Sequence, residues 1–104
     1  MPTAADDHTS GMGMNERELR AFALIADTGR MDLAAKQLGY SQPAISYQIR
    51  CLEQSLGTRL FTRDCTGARL TREGQMLLPS VRALLVLMDT IKNAAEDPFP
   101  RLAA

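Results

Sequence analysis

The stretch Leu38-Gly39-Tyr40-Ser41-Gln42-Pro43-Ala44-Ile45-Ser46-Tyr47-Gln48-Ile49-Arg50 decides how the rest of the chain reads. Gly39 stops one helix and makes a tight turn with Tyr40. Ser41 then offers a side-chain oxygen to cap a new helix, and Pro43 is tolerated there because the amide it lacks is a first-turn orphan anyway. This helix is expected over Gln42 to Leu56, with Gly57 as its stop. On a helical wheel Ile45, Ile49, Leu52 and Leu56 share one narrow arc, while Pro43, Tyr47, Arg50 and Gln54 project oppositely with Ser46 beside them. One face is core, and the other is free to touch a partner.

Upstream, Asp32 is expected to cap a short helix, Leu33 to Leu38, whose small Ala34 and Ala35 let another helix approach. Before it, Asn15 is a good N-cap with Glu18 at the reciprocal position. Leu19, Phe22, Ala23 and Ala26 recur at helical spacing up to Gly29, predicting a helix over Glu16 to Thr28. Leu24 and Ile25 fall outside that stripe, so this helix is expected to be buried on more than one side. Residues 1–14 are small, polar and glycine-containing, and read as a disordered leader.

Downstream, Arg59 to Arg63 and Ala68 to Leu70 are β-like pieces around Asp64-Cys65-Thr66-Gly67, predicting a small arginine-bearing hairpin. Thr71 starts a fourth helix that runs to roughly Ala95, with Glu73 in its first turn where the helix dipole favours an acid. Leu77, Val81, Leu84, Met88 and Ile91 are spaced four, three, four and three, a seam suited to pairing with another helix. With Leu78, Leu85 and Leu87 the apolar surface is wider than one neighbour requires, so Leu77, Val81, Leu84, Leu85, Met88 and Ile91 are the expected dimerisation residues. Pro79 predicts a bend or a displaced first turn. The expected organisation is a leader over 1–14, a DNA-binding unit over 15–71, a linker helix over 72–95 and a tail or hinge over 96–104.

The fold class is therefore mainly α: a winged helix-turn-helix of three helices and a small β-hairpin wing, followed by a long linker helix. At 104 residues the chain holds one domain, and its longest uninterrupted apolar runs, Ala21 to Ala26 and Ala83 to Met88, are six residues each. On that count no membrane-spanning helix is expected, and the leader lacks a secretory signal, pointing to the cytoplasm. Cys51 and Cys65 are then expected to stay reduced, Cys51 as helix filler and Cys65 as an inert turn thiol. The single histidine, His8, gives no metal site. No phosphate-cradling loop, nucleophile–histidine pair or carboxylate pair suggests an enzyme, a cofactor or a bound small molecule.

Net charge is zero, yet residues 30–72 carry seven basic against three acidic residues, a local +4 balanced by −4 elsewhere. The basic potential is concentrated where the exposed helix and hairpin lie. Such a helix fits the major groove, ~10–12 Å across against a groove ~12 Å wide. Ser41 and the free amides of the helix N-terminus suit a phosphate, Gln42 an adenine edge, Ser46 base edges or phosphate, Tyr47 a thymine methyl or phosphate, and Arg50 guanine or phosphate. Arg63 and Arg69 are the expected wing contacts. Arg59 is open to two readings, a phosphate contact or an internal ion pair.

The run Met14 to Phe22, then Ala34-Ala35, Leu38 to Ser46, Gln48-Ile49, Leu52-Glu53, Leu56-Gly57, Arg59-Leu60-Phe61, Arg63, Leu70-Thr71 and Gly74 closely resembles the N-terminal domain of LysR-type transcriptional regulators. The resemblance covers about Met14 to Ala95. It implies a winged helix-turn-helix whose linker helix pairs in a dimer, with the residues matching Gln42, Pro43, Ser46 and Tyr47 facing the major groove and wing arginines on the backbone or minor groove. Three departures stand out. Tyr47 and Thr66 occupy positions where the family often has a basic residue, so minor-groove anchoring is expected to be weaker or moved to Arg63 and Arg69. Full-length members also continue into a larger ligand-sensing domain, whereas this chain ends at Ala104, as an isolated fragment or a short member unable to sense an inducer alone.

Two functions follow. One is a homodimer that binds double-stranded DNA at an interrupted palindrome as a transcriptional regulator. The alternative is an interaction module that pairs through its linker helix with a full-length relative and modulates it.

Overall fold

The computed structural model of the protein describes residues 14–64 and 67–96, apart from the side chains of residues 63 and 64. His8, Cys65, Thr66, the leader up to residue 13 and the tail from residue 97 lie outside the described residues.

Asn15 opens α1 (Glu16–Thr28) by accepting the Glu18 amide on its side-chain oxygen at 2.8 Å, and its side-chain amide donates to Glu18 Oε2 at 3.3 Å. The reciprocal cap is thus closed between two side chains. Leu19, Ala21, Phe22 and Ile25 are fully buried, and α1 packs on every other helix and on the second strand, as the apolar pair outside its main stripe requires.

α2 (Met31–Leu38) begins two residues earlier than expected, and Asp32 does not cap it. Arg30 holds the cap position, its amide donating to Thr28 Oγ1 at 3.2 Å, while its guanidinium donates to both Asp32 carboxylate oxygens at 3.0 and 2.6 Å. Met31 is buried at the first helical position, so tertiary packing pulls the helix start forward. α3 (Gln42–Leu56) matches its expected bounds: Ser41 Oγ accepts the Ala44 amide at 3.2 Å, and Ile45, Ile49 and Leu52 are buried.

β1 (Phe61–Asp64) and β2 (Gly67–Leu70) pair antiparallel, with Phe61 opposite Leu70 and Arg63 opposite Ala68. β1 starts two residues later than expected because the preceding backbone is committed elsewhere. The Leu60 amide donates to Glu53 Oε2, and the carbonyls of Arg59 and Leu60 accept from the hydroxyl and the amide of Thr71. Phe61 meets Phe22 edge to face at 5.5 Å and 78°, pinning the hairpin to α1.

Thr71 also caps α4 (Arg72–Glu96), its Oγ1 accepting the Gly74 amide at 2.9 Å. The helix continues through the exposed Pro79, which lies inside it and does not displace its first turn. By length and composition α4 is apolar and long enough to cross a membrane, although its longest unbroken apolar run, Ala83 to Met88, is six residues. Here it lies along α1, with Val81 and Leu85 buried and three charged side chains paired to that helix.

Gly67 sits at φ 128, and a Cβ there would lie 2.6 Å from the Gly29 carbonyl oxygen, which also accepts the Ala68 amide at 3.2 Å. Gly67→Ala is expected to lose about 1–3 kcal/mol in urea unfolding, since neither the left-handed backbone nor the neighbouring carbonyl accommodates the methyl.

Burial raises the Glu18 carboxyl above its usual value of 4.5, against the lowering effect of its bonds to Asn15, and its Oε1 has no partner among the described residues. A raised folded-state value means the protonated form favours folding, and this contribution fades as pH climbs through that value. Relative to Glu18→Gln, the parent should lose stability between pH 4 and pH 7, measured by thermal midpoints across that range.

Candidate nucleic-acid interface

Ser41 and Gln42 are exposed at the N-terminus of α3, and Pro43, Tyr47, Arg50 and Gln54 are exposed on the side opposite Ile45, Ile49 and Leu52. Tyr47 is 61% exposed, which for an aromatic ring on a small domain signals a surface kept open. Ser46 lies at the edge, half-buried, with its hydroxyl 3.9 Å from Met31 Sδ. Gln42 and Arg50 have no hydrogen-bond or ion-pair partner among the described residues. Glu53 is the single acid on α3, and its carboxylate turns inward, so the front of the helix carries no negative charge.

The hairpin carries two further arginines. Arg69 is exposed on β2 opposite Thr62, and Arg63 lies on β1 opposite Ala68, so the two wing arginines are not cross-strand partners. Arg59 makes the intramolecular ion pair while staying exposed: Nε is 3.5 Å from Glu53 Oε1, and the guanidinium donates to the Phe61 carbonyl at 3.3 Å. An open groove of about 700 Å³ separates α3 from the segment leading to the wing, lined by Arg50, Glu53, Gln54, Thr58 and Arg59. Among the described residues no three His, Cys, Asp or Glu side chains gather as a metal site.

Glu53 was not singled out as a functional side chain by sequence reasoning. Its Oε2 accepts the amides of Leu60 and Phe61 at 2.7 and 3.3 Å, tying the root of the wing to the back of α3. The only sequence signal is an acid on the inward flank of a helix that ends at Gly57, too common a pattern to read alone.

The linker helix divides its apolar residues differently from the expected seam. Val81 and Leu85 are buried in the chain's own core, and Leu77, Leu84 and Met88 are half-buried against it. Ile91 is 68% exposed and joins Met76 and Leu87 on an outward stripe.

Three helices with a tight turn before the second and third, a two-stranded hairpin and a long following helix define a winged helix-turn-helix regulatory domain. Residues 17–75 match the family of bacterial regulatory helix-turn-helix proteins of the lysR type, and the chain belongs to that family. It is 44% identical over 84 residues to the small neutral protease regulatory protein of Streptomyces coelicolor, covering 81% of this chain and 26% of that one. It is 45% identical over 93 residues to an HTH-type transcriptional regulator of Azotobacter vinelandii, covering 86% of this chain and 65% of that one. Among solved structures, the CbnR DNA-binding domain in complex with DNA superposes with a TM-score of 0.74 at 36% identity, covering 79% of this chain and 94% of that one. Oxidised OxyR of Corynebacterium glutamicum gives 0.78 at 30% identity, over 81% of this chain and 26% of that one. The chain spans about a quarter of the length of the Streptomyces relative.

Glu53→Ala strips a shared acceptor from two amides at the root of the wing, where Leu60 and Phe61 are buried. A loss of about 1–3 kcal/mol is expected in urea unfolding, with a smaller loss for Glu53→Gln, which keeps one acceptor oxygen.

Proposed function

We propose that the chain binds double-stranded DNA as a homodimer and regulates transcription, each copy placing α3 in a major groove. The observation that carries this reading is the two-sided character of α3: a sealed aliphatic back, and a front with Gln42, Tyr47 and Arg50 exposed and no acid among them. The likeness to a domain solved with DNA supports it. In this reading Ser41 and the α3 N-terminus receive a phosphate, Gln42, Pro43, Ser46 and Tyr47 meet base edges, and Arg50 meets guanine or phosphate. Arg63 and Arg69 on the wing contact the backbone or minor groove.

Pairing runs through α4. Val81 and Leu85 hold the helix to its own domain, while Ile91, with Met76 and Leu87 and the half-buried flank of Leu77, Leu84 and Met88, faces a second copy. Two α3 helices on one side of the duplex then read an interrupted palindrome, with half-sites one or more turns apart. The action is on DNA in the bacterial cytoplasm, with no chemistry asked of the chain.

Equilibrium binding to duplexes selected from a random pool, repeated at several salt concentrations, tests the reading. Affinity should fall steeply with salt as counterions are released. Arg50→Ala should weaken binding by about 1–3 kcal/mol if its fork meets a guanine, or lower the salt slope by about one if it meets a phosphate. Salt-independent binding, or an Arg50→Ala variant indistinguishable from the parent, overturns it.

A further inference from the structure

Arg30 and Asp32 stand at the corner where α1 ends, α2 begins and the hairpin docks. The Gly29 carbonyl accepts the Ala68 amide at 3.2 Å, and Arg30 Cγ lies 3.9 Å from where a Cβ on Gly67 would sit, so the turn end of the hairpin rests on this corner. On its other side the next residue, Met31, holds its Sδ 3.9 Å from the Ser46 hydroxyl at the edge of α3. Arg30 is thus joined to both the hairpin and α3. The backbone of the corner is fixed: Thr28 Oγ1 accepts the Arg30 amide at 3.2 Å, and the Arg30 carbonyl accepts the Ala34 amide at 3.2 Å. Only the side chain can move.

That side chain is closed on Asp32. Nε donates to Oδ1 at 3.0 Å and Nη2 to Oδ2 at 2.6 Å, a two-pronged bond between side chains that are 56% and 47% exposed. The bond holds the Arg30 guanidinium above its usual value and the Asp32 carboxyl below its own. Both therefore stay charged around neutral pH, and the pair opens by exchanging one anion for another. A phosphate presents the same fork of oxygens as a carboxylate, and an exposed ion pair is weak enough to be exchanged.

We propose that Arg30 is a contact for a backbone phosphate of duplex DNA, held back by Asp32 in the free protein. This rests on the DNA reading above: a duplex that meets both the front of α3 and the hairpin arginines passes over the corner to which both are joined. The guanidinium then turns from Asp32 to a phosphate, and the carboxylate left behind opposes the polyanion. Because the closed pair has no net charge, it contributes nothing to counterion release, and one of the seven basic residues between 30 and 72 is silenced. A phosphate contact positions the duplex and carries no sequence information, so the pair tunes affinity without altering which bases α3 reads.

The test is equilibrium binding of the full 104-residue chain to a selected duplex at several salt concentrations, beside a selection from random duplexes. Asp32→Asn frees the guanidinium. Binding should tighten by up to ~5-fold, the ceiling for releasing an exposed pair, and log affinity should fall more steeply with log salt, by about 0.9 in slope. Arg30→Ala leaves a bare carboxylate and should weaken binding, while the two substitutions together should return it near the parent. The Thr28 bond uses the Arg30 backbone amide, so these variants keep the corner intact. Asp89→Asn removes the same charge from the contact between α1 and α4 and should leave affinity and slope close to the parent's. An Asp32→Asn variant that gains no more than Asp89→Asn, or that changes the preferred sequence, overturns the proposal, as does Arg30→Ala binding as tightly as the parent. A parent whose binding ignores salt overturns the DNA reading instead.

Discussion

The burial of α1 on several sides at once is the constraint on which the rest of the domain depends. Leu19, Phe22 and Ile25 are wholly excluded from solvent, and the helix that carries them packs on α2, α3, α4 and β2. Each such side chain contributes at most about 1.5–3 kcal/mol of burial. An exposed ion pair contributes roughly 0–1 kcal/mol. The apolar contacts therefore hold the domain together. Through α1 they also fix α3, the hairpin and α4 in one mutual geometry, so that a shift of any one strains the others.

Much of this was legible in the sequence because it is local. Asn15, Ser41, Gly29, Gly39 and Gly57 punctuate the helices through bonds within a few residues, and the bounds of α1 and α3 came out accordingly. What escaped was long-range. Asp32 looks like a cap, but Thr28 and Arg30 settle that corner, with Met31 pulled into the core. Arg59 and Leu60 look like strand, but their carbonyls and the Leu60 amide are taken by Thr71 and Glu53. The exposed front of α3 could be read from a wheel; the carboxylate that fastens the wing behind it could not, because its partners are backbone amides seven and eight residues away.

Zero net charge and a basic working face are reconciled by where the acids go. Glu16, Asp27, Asp32, Glu53 and Asp89 are each matched to an arginine or lysine within the molecule. Arg50 is left on the open side of α3 without an ion pair among the described residues, because the one acid on its helix, Glu53, is taken by the Leu60 and Phe61 amides and by Arg59. A screened ion pair projects little field beyond a Debye length of about 8–10 Å, whereas an unmatched guanidinium beside a polyanion keeps its full attraction. The distribution of pairing, more than the total charge, therefore sets the field around α3.

The linker helix shows why periodicity identifies a seam without identifying its partner. A four-three-four-three spacing fits any straight helical neighbour, and α1 of the same chain already occupies much of it: Val81 and Leu85 are buried there, with Leu77, Leu84 and Met88 partly covered. The surplus turns outward as Met76, Leu87 and Ile91, a second stripe on the same helix. A helix whose apolar surface continues from a buried stripe through Leu77, Leu84 and Met88 to an exposed one reads as nearly continuous hydrophobic sequence, which is why α4 satisfies the length and composition of a membrane span. Arg82 and Asp89 sit within that stretch and are matched across to Asp27 and Arg20. Burying them in a bilayer would break both pairs, while leaving α4 on α1 keeps the pairs in water and the leucines out of it.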